Sequence, residues 1–218
     1  MMIRQILGMF LGSLLVMGCN GVYLRKPLCS NLPSYSISPE VEGDYLFYGQ
    51  MSFGSDTGVA PTQPVKVSVK SEGDGLVRLT VDKIPLLREF REGNKKESLR
   101  VSGLFEENST SDLMHLCQIN GSVFGHYQLD DIYQPFEWQS DSLGQTIHVS
   151  SISFNVAHLQ ARGVPVYRIP QLDGSRSSED FLEIENYTTI IDNSSISSSE
   201  LLKFVEPQPF MLTLRRQP

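Results

Sequence analysis

The chain has 218 residues, 40% of them hydrophobic, and 18 Lys and Arg against 25 Asp and Glu give a net charge of −7. An acidic balance argues against nucleic acid as a partner, because that binding draws on Lys and Arg contacts to phosphate. The length suits one β-rich domain, or a domain with a small appendage.

The first element is a leader. Arg4 precedes an uncharged, mostly apolar run over residues 6–17 that closes on Val16-Met17-Gly18-Cys19. A spanning helix needs about 20 apolar residues, whereas the core of a signal peptide needs about 7–15. Gly18-Cys19 stands where an ordinary secretory signal carries its small residues, and the segment resembles a lipobox, although Met17 is not the commonest residue at its position. The resemblance implies that residues 1–18 are removed and that Cys19 is the lipidation point, carrying diacylglycerol on sulfur and an acyl group such as palmitate on the new amino group. A plain cleaved signal or an N-terminal anchor helix is the alternative. Each buried methylene contributes about 0.8 kcal/mol, so two or three chains anchor stably where one is marginal. Loss of Arg4 with the leader leaves the mature chain at −8. With no polybasic patch apart from Arg25 and Lys26, the membrane contact is expected to be the acyl chains alone.

Residues 19–40 read as a tether, since Pro27, Pro33 and Pro39 punctuate a Ser/Asn-rich run without periodicity. With Cys19 lipidated, Cys29 and Cys117 remain, and an oxidising periplasm would let them form a disulfide. The other reading, which the strand-like context Leu116-Cys117-Gln118-Ile119 favours, makes Cys117 a small buried apolar residue.

Order begins at Glu42-Gly43-Asp44-Tyr45. Tyr45, Phe47, Gly49, Met51 and Phe53 share one face of a period-two run, which predicts a half-buried strand bent at Gly49. Val65, Val67 and Val69 then alternate with Lys66 and Ser68, and Leu79 and Val81 alternate with Arg78 and Thr80. Gly73-Asp74-Gly75 between them supplies the positive φ angles of a tight turn, so residues 65–81 predict a hairpin. No strand is predicted over the charged excursion 86–98. Further strands are predicted over 99–105, 113–119, 123–129, 136–139, 146–156, 164–169 and 181–191, with 210–214 as a closing strand. Helix is nearly absent: Ser197-Ser-Ser-Glu200 makes a capping box ahead of one short helix at best.

About ten short strands predict an all-β fold, an antiparallel up-and-down barrel or a sandwich. The division is 1–18 signal peptide, 19–40 tether, 41–170 barrel domain and 171–218 C-terminal extension with strands. Gly43-Asp-Tyr45 with a glycine four residues on, then the 65–81 hairpin, is similar to the calycin-like (lipocalin-like) β-barrel domain of small Bacteroidetes-type lipoproteins, over residues 41–160. That resemblance implies about eight strands and supplies no reaction. In that group an acidic stretch after the cysteine goes with surface export, and Asn20-Gly-Val-Tyr-Leu-Arg-Lys26 has none. It implies an outer-membrane, periplasm-facing position. Asp141-Ser142-Leu143 matches the group's O-glycosylation tripeptide at Ser142.

No catalytic motif, Cys-x-x-Cys or metal-ligand spacing stands out. His115, His126, His148 and His158 are scattered; His126 and His148 could converge on a metal or haem inside a barrel, but hydrogen-bonded structure is the commoner role. Glu106-Glu107, Asp130-Asp131 and Glu179-Asp180 read as solvated loop acids. Phe136 and Trp138 alternate onto one strand face beside Glu137, with Tyr133 near. They line a ligand cavity in one reading and fill the core in the other, which aromatic burial favours. The expectation is a non-catalytic binding module without cofactor or metal, taking a small hydrophobic or glycan ligand at the Trp138 end or an envelope protein partner. A structural, pilin-like lipoprotein that exchanges a strand, with 210–214 as donor, is the alternative.

Overall fold

A computed structural model describes residues 22–47, 51–53, 56–61, 64–82, 84–92, 99–107, 110–170, 187–206 and 211–218. Cys19 and the leader lie outside these residues, as do Gly49, Glu179 and Asp180. In chain order the strands are β1 (Val22–Leu24), β2 (Gly43–Phe47), β3 (Met51–Phe53), β4 (Asp56–Pro61), β5 (Val65–Gly73), β6 (Leu76–Val81), β7 (Ile84–Glu92), β8 (Leu99–Glu107), β9 (Thr110–Ile119), β10 (Ser122–Leu129), β11 (Ile132–Ser140) and β12 (Thr146–Ser151). They continue with β13 (Ser153–Phe154), β14 (Val166–Pro170), β15 (Tyr187–Ile191), β16 (Val205–Glu206) and β17 (Met211–Arg216).

Eight of them, β2, β5, β6, β9, β10, β11, β12 and β17, follow one another around a closed antiparallel barrel, and β17 pairs back onto β2. The fold is therefore the all-β up-and-down barrel that the alternating pattern predicts. On β5 Val65, Val67 and Val69 are buried while Lys66 and Lys70 are exposed, and on β6 Val77, Leu79 and Val81 are buried. Gly73, Asp74 and Gly75 turn between them at φ 86°, 48° and 77°. The 41–170 span lacks the barrel's last strand, which β17 supplies from the 171–218 stretch. The charged excursion is not a loop where it is described: β7 pairs along its whole length with β8, so Glu106 and Glu107 also end a strand. Nor does one strand fill 146–156. A helix α1 (Val156–Ala161) starts there, because the Asn155 side chain accepts the His158 N–H at 3.1 Å and caps it. The predicted capping box is present on α2 (Ser198–Leu201): Ser197 accepts the Glu200 N–H and Glu200 accepts the Ser197 N–H.

From Val22 on, the stretch expected to be a loose tether is built into the body. The Tyr35 N–H donates to the Leu116 carbonyl, the Gln118 N–H donates to the Pro33 carbonyl, and a 3-10 turn over Pro39–Val41 carries Ile37 and Val41 into the barrel core. This segment plugs one end of the barrel. Its apolar residues are too sparse to show a period, so only the surface it meets reveals them as core. Arg216, at the end of β17, fixes the plug: its guanidinium donates to the carbonyls of Glu40, Glu42 and Gly144 and stands 5.8 Å from the Tyr45 ring centre. The Tyr45 hydroxyl lies 2.7 Å from the Val41 carbonyl and 2.9 Å from that of Gly144.

A second core sits outside the barrel wall. Leu24, Leu28, Ile152, Phe154, Leu159, Val164, Ile191 and Leu201 bury one another there, against Phe124 and Tyr133. Cys29 and Cys117 form a disulfide within it, Cα atoms 5.5 Å apart and 88 residues apart in sequence. Both readings of Cys117 thus meet, since it is fully buried and bonded. β1, β15 and β14 extend the sheet from the edge of β11 that β12 leaves free.

Two outcomes test this packing. A Cys29→Ser/Cys117→Ser protein should lose about 2–5 kcal/mol of stability, read from denaturant midpoints, because the unfolded chain regains its loop freedom. Gly125→Ala should cost about 1–3 kcal/mol by the same measurement, since a methyl there meets the Phe136 ring and lies 2.7 Å from Leu116 Cδ2.

Candidate ligand site in the barrel

Strand parity decides what the interior contains. Met114 and Leu116 face inward on β9, so Asp112 shares their face; Tyr127 faces inward on β10, and Gln134 shares the inner face of β11 with Phe136 and Trp138. On β1, Leu24 stands opposite Tyr133 on the outer side, which puts Tyr23 on the inner side near Gln134. Asp112, Tyr127, Gln134 and Tyr23 therefore gather toward the end away from the plug, and Trp138 lies deeper.

Tyr23, Tyr127 and Gln134 are buried, and Asp112 is half-buried. The Tyr127 hydroxyl donates to Gln134 Oε1, and both residues are buried. Burial pushes the Tyr127 phenol well above the usual tyrosine range, and Tyr23 and Asp112 push it further. Burial likewise raises the Asp112 carboxyl and the Tyr23 phenol. Phe136 and Trp138 are wholly buried among Tyr45, Met114, Leu116 and Ile147, so they form the floor of the barrel. Among the described residues the Trp138 indole Nε1 has no hydrogen-bond partner. A buried donor left unpaired costs about 1–3 kcal/mol, and such a group in a native structure calls for an explanation.

Tyr133 does not join Phe136 and Trp138. Odd parity puts it on the outer face, 5.3 Å from the His126 ring centre, where His126 lies 5.5 Å from His115. With Pro27, Leu76 and Gln128 these three line a hollow of about 280 Å³ on the outer wall. His126 and His148 do not converge in the barrel, because both face outward: His126 Nδ1 accepts the Cys29 N–H at 3.4 Å, and His148 Nδ1 lies 2.9 Å from Thr213 Oγ1. Among the described residues no group of three or more His, Cys, Asp or Glu is placed to hold a metal. Ser142 is exposed in the β11–β12 turn, where the Asp141 carboxylate accepts the Leu143 and Gln145 N–H groups at 3.0 and 2.8 Å. Asp130 and Asp131 turn from β10 to β11, with Asp130 at φ 52°.

Sequence reasoning missed Asp112, Tyr127, Gln134 and Tyr23 as a group. Alternation gives each one's parity, but only the register brings residues of β9, β10, β11 and the remote β1 to one side.

Burial, and then the charge of His115, hold His126 neutral with its pKa lowered to about 3. Below the unfolded value of about 6.5 the unfolded chain takes up a proton that the fold refuses, so stability should fall by about 1.4 kcal/mol per pH unit from pH 6.5 toward 3. Urea midpoints measured across that range should show this slope, and His126→Gln should flatten it.

No protein-family model, curated protein or solved structure matches this chain.

Proposed function

We propose that the chain is a non-catalytic binding protein of the cell envelope, held at the outer membrane by acyl chains on Cys19 and facing the periplasm. Its barrel takes up one small, mostly apolar molecule that carries a hydrogen-bond acceptor. The observation that carries this reading is the Trp138 indole N–H, fully buried in the barrel core without a partner among the described residues. A donor-only group in an apolar setting is satisfied by a carbonyl, carboxylate or hydroxyl oxygen. Eight-stranded barrels have room for packed side chains or one small ligand, and the plug leaves the end lined by Asp112, Tyr127 and Gln134 as the side of entry. A glycan is the poorer fit, because its many hydroxyls would meet only these few polar groups. The strand-exchange reading is the weaker one, since β17 pairs with β12 over Met211–Arg215 and with β2 over Leu214–Arg216 within its own barrel.

Trp138 is the only tryptophan in the sequence, so its emission reports the site directly. Decanoate titrated into the protein should change that emission saturably, and Trp138→Phe should weaken decanoate binding roughly tenfold by calorimetry, the worth of one hydrogen bond near 1.4 kcal/mol. Flat emission with decanoate, together with saturable binding of an oligosaccharide, would overturn the apolar reading. For the anchor, Cys19→Ser should abolish acyl labelling and release the protein from the membrane fraction.

A further inference from the structure

The hollow on the outer wall lies apart from the barrel interior. Strand register sets its floor, where β9, β10 and β11 run side by side. His115 of β9 stands opposite His126 of β10, and Gln128 of β10 stands opposite Tyr133 of β11. Leu76 of β6 is the neighbour of His115 on its other side, and Leu113 shares the outer face of β9. Pro27 and Ser30 of the N-terminal segment complete the lining, and among the described residues it holds no Asp, Glu, Lys or Arg. A volume of about 280 Å³ lies at the lower end of small-molecule pockets, which begin near 300 Å³.

Chemistry narrows the occupant. A charged ligand would give up water without meeting a counter-charge in the lining. Arg78, across from Leu113 on β6, is already paired with Glu72 at 2.8 Å. A metal ion would need a lone pair from both imidazoles. His126 Nδ1 accepts the Cys29 N–H at 3.4 Å, so the ring proton sits on Nε2, which then donates and does not ligate. A wholly apolar ligand would set carbon against the polar groups of His115, His126, Gln128 and Tyr133. A small neutral molecule with hydroxyls around an apolar ring face fits all three constraints. His126 Nε2 and the Tyr133 hydroxyl are donors. Gln128 spends an amide N–H on the Asp130 carbonyl at 2.8 Å, and the Ser30 hydroxyl donates to the Pro27 carbonyl at 3.1 Å, so both keep an oxygen to accept. The rings, Leu76 and Leu113 offer apolar surface to the ring face.

We propose that this outer hollow binds one neutral sugar residue, held by His115, His126, Gln128 and Tyr133. The site is distinct from the barrel interior, whose few polar groups suit an apolar ligand.

The test follows the imidazole signals of the mature protein by NMR near neutral pH. The sequence has four histidines, and His148 and His158, which lie elsewhere, are internal controls. The methyl glycosides of glucose, galactose and mannose are titrated in turn. At least one should move the His115 and His126 signals saturably, with a Kd of about 1–10 mM, and leave His148, His158 and the Trp138 emission unchanged. His115→Ala and Gln128→Ala, at a half-buried and an exposed position, should each weaken that binding about five- to tenfold, read on His126. Unchanged Trp138 emission shows that the variants keep the barrel. No saturable shift with any of the three glycosides, or a shift that both variants leave intact, would overturn the proposal. Tighter binding of glucuronate than of methyl glucoside, or a saturable shift of both imidazoles by zinc alone, would overturn it too. A glycoside that changes Trp138 emission and leaves His115 and His126 unmoved would put the sugar inside the barrel and equally refute the outer site. Decanoate is read separately, by Trp138 emission alone.

Discussion

The pairing of β17 with β2 closes the sheet on itself, and the rest of the molecule depends on that seam. It joins strands at opposite ends of the chain, and without it both would be open edges inviting other strands. Closure also defines an inside. Leu212 and Leu214 reach the barrel core only because β17 lies between β12 and β2. Arg216 reinforces the seam from its end: one guanidinium answers carbonyls from the plug and from the β11–β12 turn while standing over Tyr45. A planar fork of five donors can do this where a lysine could not.

The plug and the outer core share one origin. The chain from Val22 to Val41 first runs along the outer wall, is bonded to β9 through Cys29 and Cys117, and then crosses the barrel end. A single segment thus seals the bottom of the barrel and covers one side of it. The long connection from β12 to β17 packs over the same side, through α1, β15 and α2. The wall strands β9, β10 and β11 are therefore buried on both faces over part of their length. That is why Cys117 sits outside the barrel and yet away from water, with Phe124 partly buried beside it.

Burial on both faces sorts the polar groups. Outside, His126 gives its Nδ1 to the Cys29 N–H and stays neutral, so its role is to hold the N-terminal segment to the wall. Inside, Tyr127 and Gln134 satisfy each other, and among the described residues Trp138 is left with a donor and no acceptor. The interior is thus apolar at depth and polar toward the unplugged end.

Period-two alternation in 65–81, 113–119 and 123–129 fixes strand type and which side chains share a face, because adjacent residues of a strand must point to opposite sides. Gly73-Asp74-Gly75 and Ser197 with Glu200 are local chemistry, and both form as their residues require. Phe136 and Trp138 as an inward pair could be read for the same reason. What local pattern could not decide was which face belongs to which core, since the outer wall is apolar too and Tyr133 differs from Phe136 only in parity. The tertiary structure alone decided that 22–41 is ordered, that Cys29 meets Cys117, that β17 completes the barrel, and that Asp112, Tyr127, Gln134 and Tyr23 meet. Apart from the Tyr127–Gln134 bond across one hairpin, these depend on contacts between residues far apart in sequence, and such contacts leave no period in the segments that make them.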